Sequence, residues 1–374
     1  MTRKSLFIVL ATVFAMLSIL ILWQRPLLPA RQRAYAVPPN AVVTQFPSRS
    51  PERQRLVIEA ATDVSFMRPL IIAFQKQNPD VAVYYEDGLS TDVLARALVA
   101  CRTDANIPDL YLSVATDHLV RLANDGCGQR AADDLVVPPW REWRHEVIAF
   151  ALEPAVFAYN RKLLGDGDAP ASHVALINSL RSNPHYWNAR IGTYDIRKSG
   201  IGYNYAEFDS RESSLYGRLI ESLGRSHVQL YCCSNEMVRA VEAGSVVLAY
   251  NVQLSYALAA QRANPNVGIV VPSDFQAVQT RSVLIPAKAA NVDLAKRFVS
   301  FLQSPVATDI TSALLAFATD SHEAGFKPSD RLLNQANVSS ALLRLQDPAR
   351  RTAFTHEWLQ AIHADPTDRN SQER

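Results

Sequence analysis

Arg55-Leu56-Val57-Ile58-Glu59-Ala60-Ala61-Thr62-Asp63 opens the ordered part of this chain and sets a pattern that recurs along it. A short run of branched apolar residues makes a buried strand, and two side chains suited to capping a helix come directly after it. Met67, Leu70, Ile71 and Phe74 then recur at helical spacing until Asn78-Pro79-Asp80 stops the helix. The unit repeats. Val81 to Tyr85 is strand-like, Ser90-Thr91-Asp92 caps a helix, and Leu94, Ala97, Leu98 and Cys101 share one face of it. Leu110 to Val114 forms a third strand, followed by Thr116-Asp117 and a helix carrying Leu119, Leu122 and Ala123. Strands alternating with helices predict a mainly parallel sheet covered by helices. Ligands of such sheets bind beyond the carboxyl ends of the strands. Thr62, Asp63, Ser113 and Thr116 therefore stand on one wall of a candidate cleft, although each hydroxyl or carboxylate also suits a plain helix cap.

Working outward, Ala155-Val156-Phe157-Ala158-Tyr159 reads as a strand that leaves this first lobe. A second lobe contains the strands Ala189 to Tyr194, Val246 to Tyr250 and Gly268 to Pro272, with helices near Leu215, after Ser234 and near Tyr256. Ser282 to Pro286 resembles a return strand, and Asn291 starts an amphipathic helix with Leu294, Ala295, Phe298, Val299 and Leu302 inward. Two more helical stretches cover roughly 306–317 and 348–362. These elements make an α/β chain in two lobes, preceded by a linker over 37–54 and followed by a polar tail over 365–374.

At 374 residues the chain exceeds the usual size of one domain. Its 48% hydrophobic content argues against disorder, and a net charge of +2 argues against a dedicated nucleic-acid binder. Arg3 and Lys4 precede an uncharged, mostly apolar run from Ser5 to Trp23, which is an export signal. Cleavage after Ala34-Tyr35-Ala36 and retention of residues 5–23 as an inner-membrane anchor both remain open, since the run approaches the length that spans a bilayer. Either way the predicted location is the periplasm. There are four cysteines. A Cys101–Cys127 bridge is plausible in an oxidising compartment, whereas the adjacent Cys232 and Cys233 read as two separate buried thiols.

Several segments together resemble the bacterial periplasmic solute-binding proteins of ABC transporters, especially the branch with ferric-iron and phosphorylated-sugar binders. They are Leu56 to Asp63, Leu70-Ile71-Ile72-Ala73-Phe74 leading to Asn78-Pro79-Asp80-Val81, and Phe157 to Leu164. Val241-Glu242-Ala243-Gly244 and Ala295-Lys296-Arg297-Phe298 through Leu302-Gln303-Ser304-Pro305 complete the set. Each is weak alone; their order carries the resemblance. The chain is also similar to binding proteins found beside two-component sensor kinases. The resemblance implies the type II two-lobed fold, with 55–155 and 276–364 in a discontinuous lobe one, 156–275 in lobe two and a ligand cleft between them. It also implies that the lobes close on a small molecule, with an inner-membrane ABC permease or a sensor kinase as partner, a monomeric state and no cofactor. The iron branch has two adjacent tyrosines after the strand that here ends at Tyr250. This chain has Asn251-Val252 in that place, so a small organic or phosphorylated anion is expected instead.

The loop Asp195 to Tyr205 is the first candidate for ligand contact. Arg197 offers a fork for carboxylate or phosphate, and Ser199 and Gly200 offer backbone N–H groups at a helix start, with Tyr203 following. Ser234, at a helix start where it also suits a plain cap, and Tyr250-Asn251, which follow a strand and face either the cleft or the core, are the further candidates from lobe two. None of the motifs GxSxG, GxxxxGK[ST], HExxH or GxGxxG occurs, and none of the eight histidines forms a usual zinc pair. No catalytic residue is therefore assigned, and no metal. An anchored envelope hydrolase stands as the alternative from another class.

Overall fold

The computed structural model describes residues 42–131, 135–317, 324–325 and 336–362. The export segment, the candidate anchor over 5–23, the first residues of the linker and the tail lie outside them. Lobe one begins with β1 (Val42–Phe46), β2 (Gln54–Ala61), α1 (Val64–Gln77), β3 (Val81–Asp87), α2 (Ser90–Thr103), β4 (Leu110–Ser113) and α3 (Thr116–Asn124). Short β5 (Gly128–Gln129) and β6 (Glu142–Trp143) precede the long β7 (Val147–Asn160). Lobe two holds α4 (His173–Ser182), α5 (Pro184–Trp187), β8 (Ile191–Tyr194), α6 (Gly200–Glu212), α7 (Tyr216–Arg225), β9 (Gln229–Tyr231) and α8 (Ser234–Ala243). It continues with β10 (Leu248–Gln253), α9 (Leu254–Ala263) and β11 (Val267–Val270). The chain returns through β12 (Val278–Pro286), α10 (Val292–Leu302), α11 (Pro305–Leu314), the ribbon β13 (Ala316–Phe317) and β14 (Ala324–Gly325), and α12 (Pro348–Ile362).

β2 lies parallel to β3 and to β4, and β8 lies parallel to β9 and to β10, so each lobe has the expected parallel centre. The two centres are not separate sheets. One hydrogen-bonded path of order β1-β3-β2-β4-β12-β7-β10-β8-β9 runs through both, because the crossing strands β7 and β12 pair with each other in antiparallel fashion. β7 changes partners in mid-strand. Pro154 is opposite Val278 of β12, and the next residue, Ala155, is opposite Gln253 of β10. That register change marks the crossing, and β7 holds fourteen residues so that it can serve both lobes.

Apolar residues of each lobe pack separately. In lobe one Leu56, Ile58, Leu70, Phe74 and Val83 meet Phe298 and Leu302 of α10, with the Phe74 and Phe298 rings edge to face at 4.9 Å. In lobe two Phe157, Leu176, Trp187, Ile191 and Leu223 form the centre. Trp358 and Ile362 of α12 belong to this second core, which corrects the assignment of the last helix to lobe one. The reason is steric. Gly224 of α7 offers a bare backbone, and a Cβ there would stand 2.2 Å from the Ala361 carbonyl oxygen, so α12 can lie directly on α7. The segment just before it touches both lobes: Val338 packs with the α3 core, and Leu345 packs in lobe two.

Cys101 and Cys127 are bonded, tying the end of α2 to the loop after α3. Cys232 and Cys233 are also bonded, to each other, and both are half-buried, which corrects the expectation of two separate buried thiols.

Candidate functional site

The carboxyl ends of β2, β3 and β4 face those of β8, β9 and β10, and the crossing strands form the floor between them. Glu153 of β7 and Arg281 of β12 meet on that floor, and neither is exposed. Arg281 Nε donates to Glu153 Oε2 at 2.8 Å, its Nη1 donates to Thr62 Oγ1 at 3.1 Å, and its Nη2 donates to Ser255 Oγ at 2.9 Å. One guanidinium thus holds a floor residue, a lobe-one turn and a lobe-two helix start. Its face lies 4.0 Å from the centre of the Phe66 ring. Burial is the largest influence and opposes its charge, but the Glu153 carboxylate together with Tyr256 and Tyr85 leaves its pKa raised.

Lobe one supplies Thr62, Asp63, Tyr85 and Asp87. Asp63 caps α1 by accepting the Ser65 N–H at 2.7 Å, and Asp87 accepts the Val64 N–H at 3.1 Å. Burial, reinforced by the neighbouring Asp63 charge, pushes Asp87 up to about 7. Burial likewise carries Tyr85 well above its ordinary value, and its hydroxyl donates to the Thr62 carbonyl at 2.5 Å. Lobe two supplies Tyr194, Ser234, Gln253, Ser255 and Tyr256. The Ser234 hydroxyl pairs with Tyr194 at 2.5 Å and accepts the Gln253 N–H at 3.1 Å. Tyr256 Oη accepts the Asp63 N–H at 3.2 Å across the gap. The Nε2 of Gln253 is buried and has no partner among the described residues. A cavity of ≈ 290 Å³ opens beside this group, lined by Asp63 and Phe66 from lobe one and by Asn235, Arg239, Ser255 and Tyr256 from lobe two.

Thr62, Asp63 and Ser234 of the sequence candidates belong to this group. Ser113 and Thr116 stand at the lobe-one strand end but serve the framework. Ser113 Oγ accepts the Ala115 N–H at 3.0 Å, and Thr116 Oγ1 donates to the Thr280 carbonyl at 2.8 Å, bracing the return strand. The loop at Ser199 and Gly200 reaches the lobe boundary. Ser199 caps α6, and the Gly200 N–H donates to Ser90 Oγ at 3.0 Å, a contact between lobes. A Cβ on Gly200 would stand 2.7 Å from the His118 ring and 2.7 Å from Ser90 Oγ, so only glycine admits this approach. Arg197 is engaged at home: Nε and Nη2 fork onto the Asp195 carboxylate at 2.8 and 2.7 Å.

Tyr203, Tyr250 and Asn251 require correction. The Tyr203 ring is buried beneath Arg351 at 4.1 Å and beside Phe354, on the side of α6 that faces α12. Tyr250 and Asn251 both donate to Asp209 Oδ2 at 2.6 Å, inside lobe two. Burial pushes Asp209 up to about 7, the two donors opposing that rise. These three side chains hold lobe two together and do not reach the cleft.

The sequence candidates omit Tyr85, Asp87, Glu153, Gln253, Ser255 and Tyr256, and the sequence leaves Arg281 undecided between cleft and surface. The signal for Gln253 and Asp87 is position alone, at the carboxyl ends of β10 and β3. A larger hollow of ≈ 740 Å³ lies between α6, Gln279 and the 337–345 segment. Its buried acid, Glu207, is already engaged by Arg344 at 2.8 Å and by Arg350, and its lining comes from α6, the start of β12 and the 337–345 segment. The interlobe cleft, with groups from both lobes around the Glu153–Arg281 floor, is the better candidate.

Residues 57–313 match the family described as bacterial extracellular solute-binding protein. A solved structure, the substrate-binding protein of an ABC transporter from Agrobacterium tumefaciens, is 30% identical with a TM-score of 0.79 and covers 87% of this chain and 100% of its own. Iron-bound HitA from Pseudomonas aeruginosa is 18% identical with a TM-score of 0.62, covering 82% of this chain and 99% of its own. AfuA from Actinobacillus pleuropneumoniae, solved with fructose-6-phosphate, is 18% identical with a TM-score of 0.64, covering 83% and 99%. No curated protein matches the chain in sequence. With more than half of its length matched by one family and its two-lobed fold shared along nearly the whole of these structures, the chain belongs to the bacterial extracellular solute-binding proteins of ABC transporters.

Proposed function

We propose that this protein captures a small polar solute in the periplasm by closing its lobes over the cleft floored by Glu153 and Arg281, and passes it to an inner-membrane permease. The solute is neutral or positively charged and rich in hydrogen-bonding groups. One observation carries that choice. Asp63 and Asp87 press on each other electrostatically at the cleft, while Arg281 is already neutralised by Glu153, Arg197 by Asp195, and Arg239 shares the cavity wall with the acid Glu242. A solute donating to Asp63 or Asp87 relieves that repulsion, and one presenting an oxygen satisfies Gln253 Nε2. Contact with both lobes is what makes binding favour the closed population.

An anionic solute, the class expected from the sequence, is favoured by a different feature. The first turn of α8 has no side-chain cap among the described residues, and its backbone N–H groups suit a negative group. A thermal-shift screen separates the two, since a specific ligand raises the melting temperature by mass action. One panel holds sugars, polyols and amines, the other sugar phosphates, phosphoglycerates and di- and tricarboxylates. Hits confined to the second panel overturn the neutral or cationic choice. Output to a sensor kinase in place of a permease uses the same closure and the same site. Retention of residues 5–23 as an anchor favours that output, and N-terminal sequencing of the purified protein tests it. Turnover of any hit would instead support an anchored hydrolase.

A further inference from the structure

Cys232 and Cys233 stand where β9 hands over to α8, both half-buried. Glu236, exposed in the first turn of α8, comes back over the helix start. The two sulfurs and a Glu236 carboxylate oxygen all lie within 4.8 Å of one another. The bond between the two cysteines does little for the fold. A disulfide stabilises mainly by restricting the loop it closes, and neighbours in sequence enclose no loop. The Cys101–Cys127 bridge, with a sequence separation of 26, does enclose one. Two sulfurs and a carboxylate at one accessible corner form a donor set with its own chemistry: thiolates select soft metals, and a nearby carboxylate adds a third ligand.

We propose that the reduced Cys232–Cys233 pair, together with Glu236, binds a soft, thiophilic divalent cation. A dithiol reductant delivers two electrons and two protons, the S–S bond breaks, two thiols form, and the reductant becomes a disulfide. The cation then displaces both thiol protons and takes two thiolates and one carboxylate oxygen, with solvent completing its shell. The bonded form offers no thiolate and takes no ion, so occupancy follows the redox state. The site adjoins the solute cleft through Ser234 and Asn235 but does not depend on which solute binds there.

The test uses the full chain in detergent, reduced with dithiothreitol that is then removed under argon, and cadmium ion alone as the probe. The reduced wild type takes up one cadmium per chain and shows the ultraviolet band of cadmium–thiolate bonds. The unreduced protein shows no band. The double variant Cys232→Ser/Cys233→Ser keeps its melting temperature, because the pair ties no distant segments, and loses the band although Cys101 and Cys127 remain. Glu236→Gln keeps the band with affinity lowered about tenfold, the scale of losing one supporting group at a metal site. An undiminished band in the double variant, no band in the reduced wild type, or wild-type affinity in Glu236→Gln overturns the site.

Discussion

Arg281 and Glu153, 128 residues apart in sequence, form a fully buried ion pair where the crossing strands pass from one lobe to the other. Removing one partner leaves the other charge uncompensated in the interior. Arg281→Met is therefore expected to destabilise the protein by about 3–5 kcal/mol. Replacing both, as Glu153→Leu/Arg281→Met, is expected to cost much less. A double-mutant cycle by urea denaturation measures the difference, and additive losses would show that the two residues do not act as a pair.

Asp87 gives the pH dependence a definite sign. Its folded pKa of about 7 is raised from its ordinary 3.8, so the fold prefers the neutral carboxyl. That contribution is complete below pH 4 and is lost as pH climbs through 7. Asp209, also raised to about 7, acts in the same direction. Asp87→Asn should flatten part of the decline in urea-measured stability between pH 5 and 8, and adding Asp209→Asn should flatten more of it. A decline unchanged in both variants would remove these carboxylates as its cause.

Gln253 separates binding from stability. Its Nε2 has no partner among the described residues and its Oε1 accepts only a long bond from Ser234 Oγ at 3.4 Å, so Gln253→Met should change the melting midpoint little. Solute affinity, measured by calorimetry, should fall about five- to tenfold, the scale of one hydrogen bond. Equal losses in stability and affinity would mean that the amide is structural.

Gly200 tests closure without touching the solute. Its absent Cβ lets α6 approach His118 and Ser90. Gly200→Val should wedge the lobes apart and weaken affinity at least about tenfold by lowering the fraction competent to close. Small-angle scattering of the variant with solute present should show a larger radius of gyration than liganded wild type.

The lobes and the crossing are legible because they rest on local patterns. Val57 and Ile58 with Met67, Leu70 and Phe74 announce a strand and a helix through periodicity alone, and residues after strand ends mark the cleft wall. Thr62, Asp63 and Ser234 emerge that way. Arg197 looks available in the sequence because its counter-ion Asp195, two residues away, reads as part of the same polar loop. Tyr250 and Asn251 also follow a strand, but the fold turns them inward to Asp209, a partner that local spacing does not reveal. Glu153, Arg281 and the seat of α12 on Gly224 depend on residues far apart in sequence, where no periodicity reports the encounter.

Calorimetric titration of the solute found by the thermal screen, into Asp87→Ala and Gln253→Ala, tests most directly whether the molecule is gripped from both sides. Each variant should bind at least about fivefold more weakly than wild type, since each removes a contact from a different lobe. Wild-type affinity in either one would mean that the solute rests on a single lobe, and closure over the Glu153–Arg281 floor would no longer explain its capture.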